Sequence, residues 1–363
     1  MKKINIVSLL LLSLLSTGVK SQDIHLAQIQ EAPLVYNPAN TGFFPGYYRV
    51  IAGYRNQWQS MGKAYQTYGL SVDGGIFRNR YKNAFLGIGL NIFKDEAGAA
   101  KLSQTLANFN IAAILKMSKK SVLSAGVYGG VTMNSAQYAK LTYASQFNGT
   151  EIDPALPSKE SVIYHNFTSS DFGLGLAYEF TSIKTKNDRD DVKSLRLGIA
   201  GYHLNKPEQD FGSNTYVDAT GKTQTIEGYH MPARYVASII SRFDINNTKI
   251  SITPTVIYMI QGPAKEITAG TYLKYRFKNG TKITGEKVEN SFGIGVFYRV
   301  NDAIIPQVLI DMGTYAIGFS YDANVSSYRK ASRTVGGFEI SLRYNKLADA
   351  LFNKRSEYSK TRK

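Results

Sequence analysis

Residues 265–277 read KEITAGTYLKYRF, and the reading of this stretch decides the fold. Ile267, Ala269, Thr271, Leu273, Tyr275 and Phe277 are apolar or tolerant of lipid. Between them stand Glu266, Thr268, Gly270, Tyr272, Lys274 and Arg276. Side chains alternate across a strand, so this segment has one apolar and one charged face. In a soluble sandwich the apolar face would lie in a core. In a membrane barrel it would meet lipid, and the charged face would line an aqueous lumen.

The same period of two recurs along the chain, with turn chemistry between the runs. It predicts strands near 47–56, 65–74, 83–94, 102–116, 121–136, 166–181, 194–203, 234–244, 249–261, 265–277, 291–300, 303–311, 315–323 and 336–344. These number fourteen, an even count, as single-chain bacterial outer-membrane barrels have. The run AFLGIGLNI sets Leu86, Ile88, Leu90 and Ile92 against Gly87, Gly89 and Asn91. FGLGLAYEF and YAIGFSYD repeat the arrangement. Small residues on the polar face suit a crowded lumen, and aromatics at the ends of the apolar face suit interfacial girdles. The glycine doublets sit within strands with no helix after them, so they are not nucleotide fingerprints.

The start of the chain addresses the compartment. Lys2 and Lys3 precede an apolar run over Ile4–Leu15 and then STGVKSQD. This is the pattern of a secretory signal peptide over 1–21, with a run too short to span a membrane as a helix. The chain has no cysteine, 32 glycines, 25 tyrosines, 18 phenylalanines and 10 prolines. A disulfide framework is thereby excluded, and a large hydrogen-bonded sheet is the expected source of stability. Hydrophobic residues make up 43% of the chain. A barrel needs only half of each strand to be apolar, so this is no obstacle.

Loop lengths follow the parity of a barrel with both termini periplasmic. The gaps MSKK, INNT and MGT follow even strands, and the two longest, 137–165 and 204–233, follow odd ones. Segments 182–193 and 278–290 are medium-length exceptions. The formal net charge of +16 falls mostly on the expected periplasmic turns and on a basic tail over 345–363. Clustered basic charge can recruit an acidic partner; a merely solvated tail is the competing reading. Dispersed over turns of an exported chain, the charge makes nucleic acid a poor partner. His25, His165, His203 and His230 have no ligand spacing among themselves, and no P-loop, G-x-S-x-G elbow or H-E-x-x-H is present. The residues offer no enzyme, metal site or cofactor.

Three blocks carry a family resemblance. The first contains Asn37-Pro38-Ala39 and Gly42, then Tyr54-Arg55-Asn56-Gln57-Trp58. The second contains Gln261-Gly262-Pro263 and Glu266. The third contains Tyr298-Arg299, Asp302 to Pro306, Ser320-Tyr321-Asp322, Asn324 and Gly336-Gly337-x-Glu339-Ile340-Ser341. Together they resemble the PorP/SprF family of type IX secretion outer-membrane proteins over almost the whole mature chain. The long loops and the tail carry no such signature. The resemblance implies a non-enzymatic, fourteen-stranded outer-membrane barrel of a Gram-negative bacterium of the Bacteroidetes type. It also implies a role in secreting and holding a large surface adhesin, including gliding adhesins, by its C-terminal domain, or in contacting the periplasmic ring and lipoprotein components of the core machinery.

From the residues themselves, NPANTG has turn chemistry, with Gly42 free to take positive φ. Segment 22–45 is therefore expected at the periplasmic mouth or folded into the lumen, before a barrel over 46–344. Trp58 reads equally well as an interfacial anchor. Pro306 removes a ladder hydrogen bond, which predicts a bulge or an irregular site. Loops 137–165 and 204–233 mix aromatic and polar groups, as recognition surfaces do. Tyr143, Phe147, Asp153, Tyr164, Phe211, Tyr216, Tyr229 and Arg234 are the expected partner contacts. A diffusion channel or small-hydrophobe transporter is the alternative from another class, because fourteen strands leave space inside. For the opening stretch, the expectation is Ile267, Leu273, Tyr275 and Phe277 toward lipid, with Glu266, Lys274 and Arg276 in the lumen.

Overall fold

The computed structural model describes residues 23–57, 65–78, 83–98, 100–137, 141–157, 166–183, 192–209, 215–217, 223–225, 229–246, 248–278, 290–326 and 335–346. The expected signal peptide, Trp58, Tyr164, Phe211 and residues 347–363 of the basic tail lie outside them.

Fourteen antiparallel strands form one closed barrel. In chain order they are β1 (Tyr48–Gln57), β2 (Tyr65–Ile76), β3 (Ala84–Ala97), β4 (Leu102–Lys116), β5 (Ser121–Ser135), β6 (Phe167–Ile183) and β7 (Val192–Tyr202). Then follow β8 (Arg234–Asp244), β9 (Ile250–Gln261), β10 (Ala264–Lys278), β11 (Asn290–Arg299), β12 (Ala303–Asp311), β13 (Tyr315–Asn324) and β14 (Val335–Lys346). Each pairs with its sequence neighbour, and β1 closes the ring on β14, from Tyr48 opposite Lys346 to Gln57 opposite Gly337. Closure leaves no free sheet edge, so the backbone polar groups of the wall are satisfied within it.

The alternation works as expected. On β10, Leu273 is 53% exposed and Phe277 59%, while Arg276 between them and the lumen's other groups is 1% exposed. Leu86, Ile88, Leu90 and Ile92 of β3, Phe172, Leu174 and Leu176 of β6, and Tyr315, Ile317 and Phe319 of β13 likewise face outward. Tyr48, Tyr344 and Tyr315 pack ring against ring near one rim, at centroid distances of 5.8 and 5.2 Å. The long connections after β5 and β7 share one mouth, called here the loop mouth. The opposite, turn mouth carries short links such as 117–120 and 312–314. Long loops mark the extracellular side of such barrels.

Two details depart from expectation. The connection after β7 holds two small antiparallel ladders, Glu208–Gln209 with Tyr229–His230 and Thr215–Val217 with Thr223–Thr225. Their strands are too short for alternation to reveal. Pro306 makes the irregular site but not the bulge: the ladder to β13 is interrupted at Ile305 and Pro306, while Ile304 faces Ala323 and Gln307 faces Ser320, so the register is kept. Losing one N–H costs the ladder a rung without adding a residue. The register shifts lie instead at Arg276/Lys278 and Asp322/Ala323.

Residues 23–46 fold inside the barrel: they pass from Asp23 toward the turn mouth at Glu31, double back to the loop-mouth residues Tyr202 and Arg234 at Leu34 and Val35, and then descend again. Asp23 lies at the loop mouth, where its N–H donates to Gln261 Oε1 (3.2 Å). The segment reaches the turn mouth at Tyr47, whose N–H donates to Lys346 O (2.8 Å). On the way it makes a 3₁₀ turn at Ile29–Glu31, a single α-turn at Pro33–Tyr36 begun by proline, and a second 3₁₀ turn at Pro38–Asn40. Asn37 caps the last of these by accepting from Ala39 N (2.8 Å), and Gly42 takes φ +66°, a conformation that suits glycine. Ala27, Ile29, Ala32 and Tyr36 join Tyr202, Val236, Tyr272, Phe297 and Leu309 of the wall in an apolar core. Ala39 and Phe43 join Phe85, Ala112, Ile114 and Ala177 in a second.

The luminal glycines make room for this chain. A Cβ on Gly87 would lie 2.0 Å from Thr41 O, and one on Gly126 2.5 Å from Pro38 O. Gly129 faces lipid with nothing within 4 Å of such an atom. Gly87→Ala is therefore expected to cost about 1–3 kcal/mol through overpacking, and Gly129→Ala almost nothing. Thermal unfolding of the two variants in detergent checks this. Equal unfolding temperatures would contradict the fitted lumen.

Candidate functional site

The polar faces of the strands present charged side chains inward, and these converge on the luminal segment in three places. At the loop mouth, Asp23 Oδ2 lies 2.6 Å from His203 Nε2 and 3.2 Å from Arg234 NH1. His203 Nδ1 lies 2.8 Å from Asp171 Oδ2, which also accepts from Tyr128 OH (2.7 Å). Arg234 stacks 4.3 Å over the Tyr202 ring and donates to Val35 O (3.0 Å). All of these side chains are buried. Burial alone would depress the imidazolium of His203, but Asp23 and Asp171 outweigh it and lift the pKa to about 9. Burial works against the Asp23 carboxylate too, yet Arg234 and His203 hold it well below the usual carboxylate range.

The residues of the family resemblance come together next, along a line from the β11–β12 turn to the end of β12. Arg55 reaches Asp322 (2.8 Å) and Glu339 (3.2 Å). Arg299 reaches Asp322 (3.2 Å) and Asp302 (2.9 Å). Glu339 accepts from the backbone N–H of Ala27 (2.7 Å) and Gln28 (3.1 Å), and Gln28 Nε2 donates to Glu339 O (2.9 Å). His25 lies 2.8 Å from Glu266, which Arg299 also approaches. Arg343 bridges Glu31 (2.5 Å) and Asp311 (2.6 Å).

Toward the turn mouth the contacts change character. Asn37 Nδ2 donates to the wall carbonyls Leu176 O (2.9 Å) and Ile199 O (3.2 Å). Ser124 Oγ donates to Ala39 O (2.7 Å), and Gly42 N donates to Asp73, which Arg49 grips with two hydrogen bonds. Arg49 stacks over Phe44, Arg78 over Phe85 and Arg196 over Phe43.

Of the sequence-derived motif residues, Asn37, Pro38, Gly42, Arg55, Asp322 and Glu339 belong to this luminal system. Asp302 joins it from the β11–β12 turn. Tyr54 does not: its ring packs outside against Tyr68 and Phe338. Gln57 ends β1, and Pro306 sits in the wall. Among the expected partner contacts, Phe147 is 55% exposed beside Ile152, with Tyr143 and Asp153 in the same loop and half-buried. Tyr216 and Tyr229 lie on the small ladders. Arg234 is a correction. It opens β8 with its side chain turned into the lumen, because Asp23 and the Tyr202 ring compensate a cation there.

Asp23, Glu31, Asp171 and His203 are part of the site, but the sequence reading does not single them out for it; alternation along β14 does place Arg343 on the luminal face. Each is a charged residue beside apolar or small neighbours, which is a usable signal of placement, but no spacing ties Asp23 to His203. Two residual cavities flank the segment. One is of about 20 Å³ beside Leu26, Glu31, Leu34, Arg55 and Phe93, and the other is of about 30 Å³ beside Asp23, Val35, Asn108 and Asp171. Each has room for little more than a water molecule. Among the described residues no group of three or more acidic or histidine side chains could hold a metal ion.

Comparison with known proteins adds a family and several barrels. The family described as "Type IX secretion system membrane protein PorP/SprF" matches residues 18–344. Among solved structures the chain is similar to the CymD monoaromatic hydrocarbon channel, at 14% identity and a TM-score of 0.45 over 90% of this chain and 94% of that one. It is similar to the P. putida toluene transporter TodX at 11% identity and a TM-score of 0.45, over 88% and 94%. BamA from Haemophilus ducreyi lacking POTRA domains 1–3 follows at 10% and 0.40, over 83% and 70%. No curated protein matches.

The loop-mouth anchor sets a pH dependence. A histidine pKa raised on folding gives stability that is full below the unfolded value of about 6.5 and is lost as pH rises through about 9. His203→Gln should lower the unfolding temperature at pH 7, by the equivalent of about 3–5 kcal/mol for a broken buried pair. It should also flatten the decline between pH 7 and 10. A variant whose decline matches the wild type would remove His203 from this role.

Proposed function

The chain belongs to the PorP/SprF family of type IX secretion system membrane proteins, and from that premise we propose that it is a docking barrel, which receives and holds the C-terminal domain of a large exported adhesin at the cell surface. The observation that carries this reading is the filled lumen. A diffusion channel needs a continuous water path, and here residues 23–46, with their charged anchors, occupy the interior from one mouth to the other. What the barrel offers a partner is its loop mouth. The connection after β5 there holds exposed Phe147 and Ile152 on a short turn braced by Gln146, whose side chain donates to Leu156 O (2.9 Å). Apolar and aromatic anchors on a braced scaffold are what recognition surfaces use.

A gentle detergent pull-down from the native outer membrane tests this. The expected product is a large surface protein held through its C-terminal region, and Phe147→Asp with Ile152→Asp should reduce its recovery severalfold while leaving the folded barrel intact. Periplasmic ring and lipoprotein components without a client would place the protein in the core machinery. Planar-bilayer recordings should show no large, steady conductance; finding one would favour the channel.

A further inference from the structure

The β7–β8 connection begins and ends on the luminal segment. His203 follows β7 directly, and its Nε2 lies 2.6 Å from Asp23 Oδ2. Arg234, the first residue of β8, lies 3.2 Å from the same oxygen. The same two strand ends hold the point where the segment doubles back to this mouth. Arg234 donates to Val35 O (3.0 Å), and Tyr202, the last residue of β7, donates from its OH to Leu34 O (3.0 Å). One buried carboxylate thus joins the two ends of a long connection. An amide in its place would leave a buried guanidinium and imidazolium short of a counter-charge.

Above those ends stands a neck. Glu208–Gln209 pair with Tyr229–His230, Met231 N donates to Pro207 O (2.9 Å), and Met231 is 2% exposed. The neck turns on two residues in the left-handed conformation, His203 at φ +55° and Lys206 at φ +48°. Neither is a glycine, and such a conformation persists only where the surroundings impose it. At His203 they do so from several sides. Asp23 and Asp171 lie against its two ring nitrogens, and its backbone N–H donates to Tyr128 OH (3.3 Å). Lys206 N donates back to His203 O (3.0 Å), and His230 Nδ1 lies 3.2 Å from Lys206 O.

The neck leans in turn on β6, the strand that returns from the β5–β6 connection. Leu204 N donates to Phe172 O (3.1 Å) and Asn205 Nδ2 to Ser170 O (2.7 Å). Asp171, between those two, is the second carboxylate on His203. A continuous set of contacts therefore runs from the luminal segment through the neck to the base of the connection that carries Phe147 and Ile152.

We propose that Asp23 is a positioning residue for the loop-mouth surface: by clamping both ends of the β7–β8 connection, it makes the stance of the neck, and of the β6 end beside it, depend on the seating of the luminal segment. Such a coupling is reciprocal. A ligand that favours the clamped neck also holds the segment in place, and loss of the Asp23 carboxylate loosens the mouth. That the ligand is an exported client rests on the docking reading above; the clamp itself does not.

The chain lacks cysteine, so single cysteines in the full-length barrel report each place separately. Met231→Cys reports the neck. Ala112→Cys, buried in the apolar core around Phe43, reports the rest of the lumen. Each is treated with a maleimide in detergent, in the Asp23, Asp23→Ala and Asp23→Glu backgrounds. The expected result at position 231 is slow labelling with Asp23 and labelling about tenfold faster with Asp23→Ala, within the usual range for coupled elements. Asp23→Glu, which keeps the carboxylate, should slow it again, and position 112 should stay protected in all three backgrounds. Unchanged labelling at 231 in Asp23→Ala would mean that the neck does not depend on Asp23. Faster labelling at both positions would mean general loosening. Fast labelling at 231 that Asp23→Glu does not slow would take the carboxylate out of the role. Each of these three outcomes overturns the proposal. Should Asp23→Ala fail to fold, Asp23→Asn is scored by the same criteria. None of these readouts involves a client. If the neck behaves as expected and Asp23→Ala still recovers its client in full, the clamp stands and the docking reading loses this surface.

Discussion

A fourteen-stranded barrel encloses more space than its own inward side chains fill, and the rest of this molecule answers to that constraint. Eight strands give an interior that side chains can close, while sixteen or more leave an aqueous channel. Here the chain's own first described residues take up the difference. The composition of the wall follows. Glycines stand where the segment's backbone touches, and tyrosines and aliphatics where its apolar residues pack. Charged pairs stand where its carboxylates and amides need partners. A polar group buried here is costly unless it is paired, which is why the anchors occur as networks and not as single contacts.

The wall was legible in the sequence and much of its contents was not. Alternation with a period of two is a local signal, repeated in every strand, and it placed Leu273 outside and Arg276 inside along with nearly every strand boundary. Alternation says which face a residue occupies and nothing about what it meets there. Asp23 and His203 are joined across 180 residues of chain, so no spacing rule reaches them. His203 has no ligand-spaced neighbour in the sequence, and Arg234 borders a long loop, so neither position signals its place in the lumen. Alternation places Asp322 and Glu339 on the inward face and the family resemblance picks out Arg55 with them, but neither says why the three belong together. The structure supplies the reason: two of them carry the charge that Arg55 compensates, and Glu339 holds the segment by its backbone.

The filled interior also fixes what kind of membrane protein this is. Its outward surface is an ordinary lipid-facing band with tyrosines at the rim. Its interior is packed like that of a soluble domain, with apolar clusters and paired charges. The connections at the mouths are the part of such a barrel that is free to vary.

The last strand to be made is also the one that grips the first residues. Glu339, Ser341 and Arg343 are successive inward positions of β14, and they hold Ala27, Gln28 and Glu31 across more than three hundred residues. The same strand zips onto β1 to close the ring. Closure of the wall and retention of its contents therefore depend on one and the same strand. A barrel deprived of this segment would carry uncompensated luminal charges on the very strand that forms its seam.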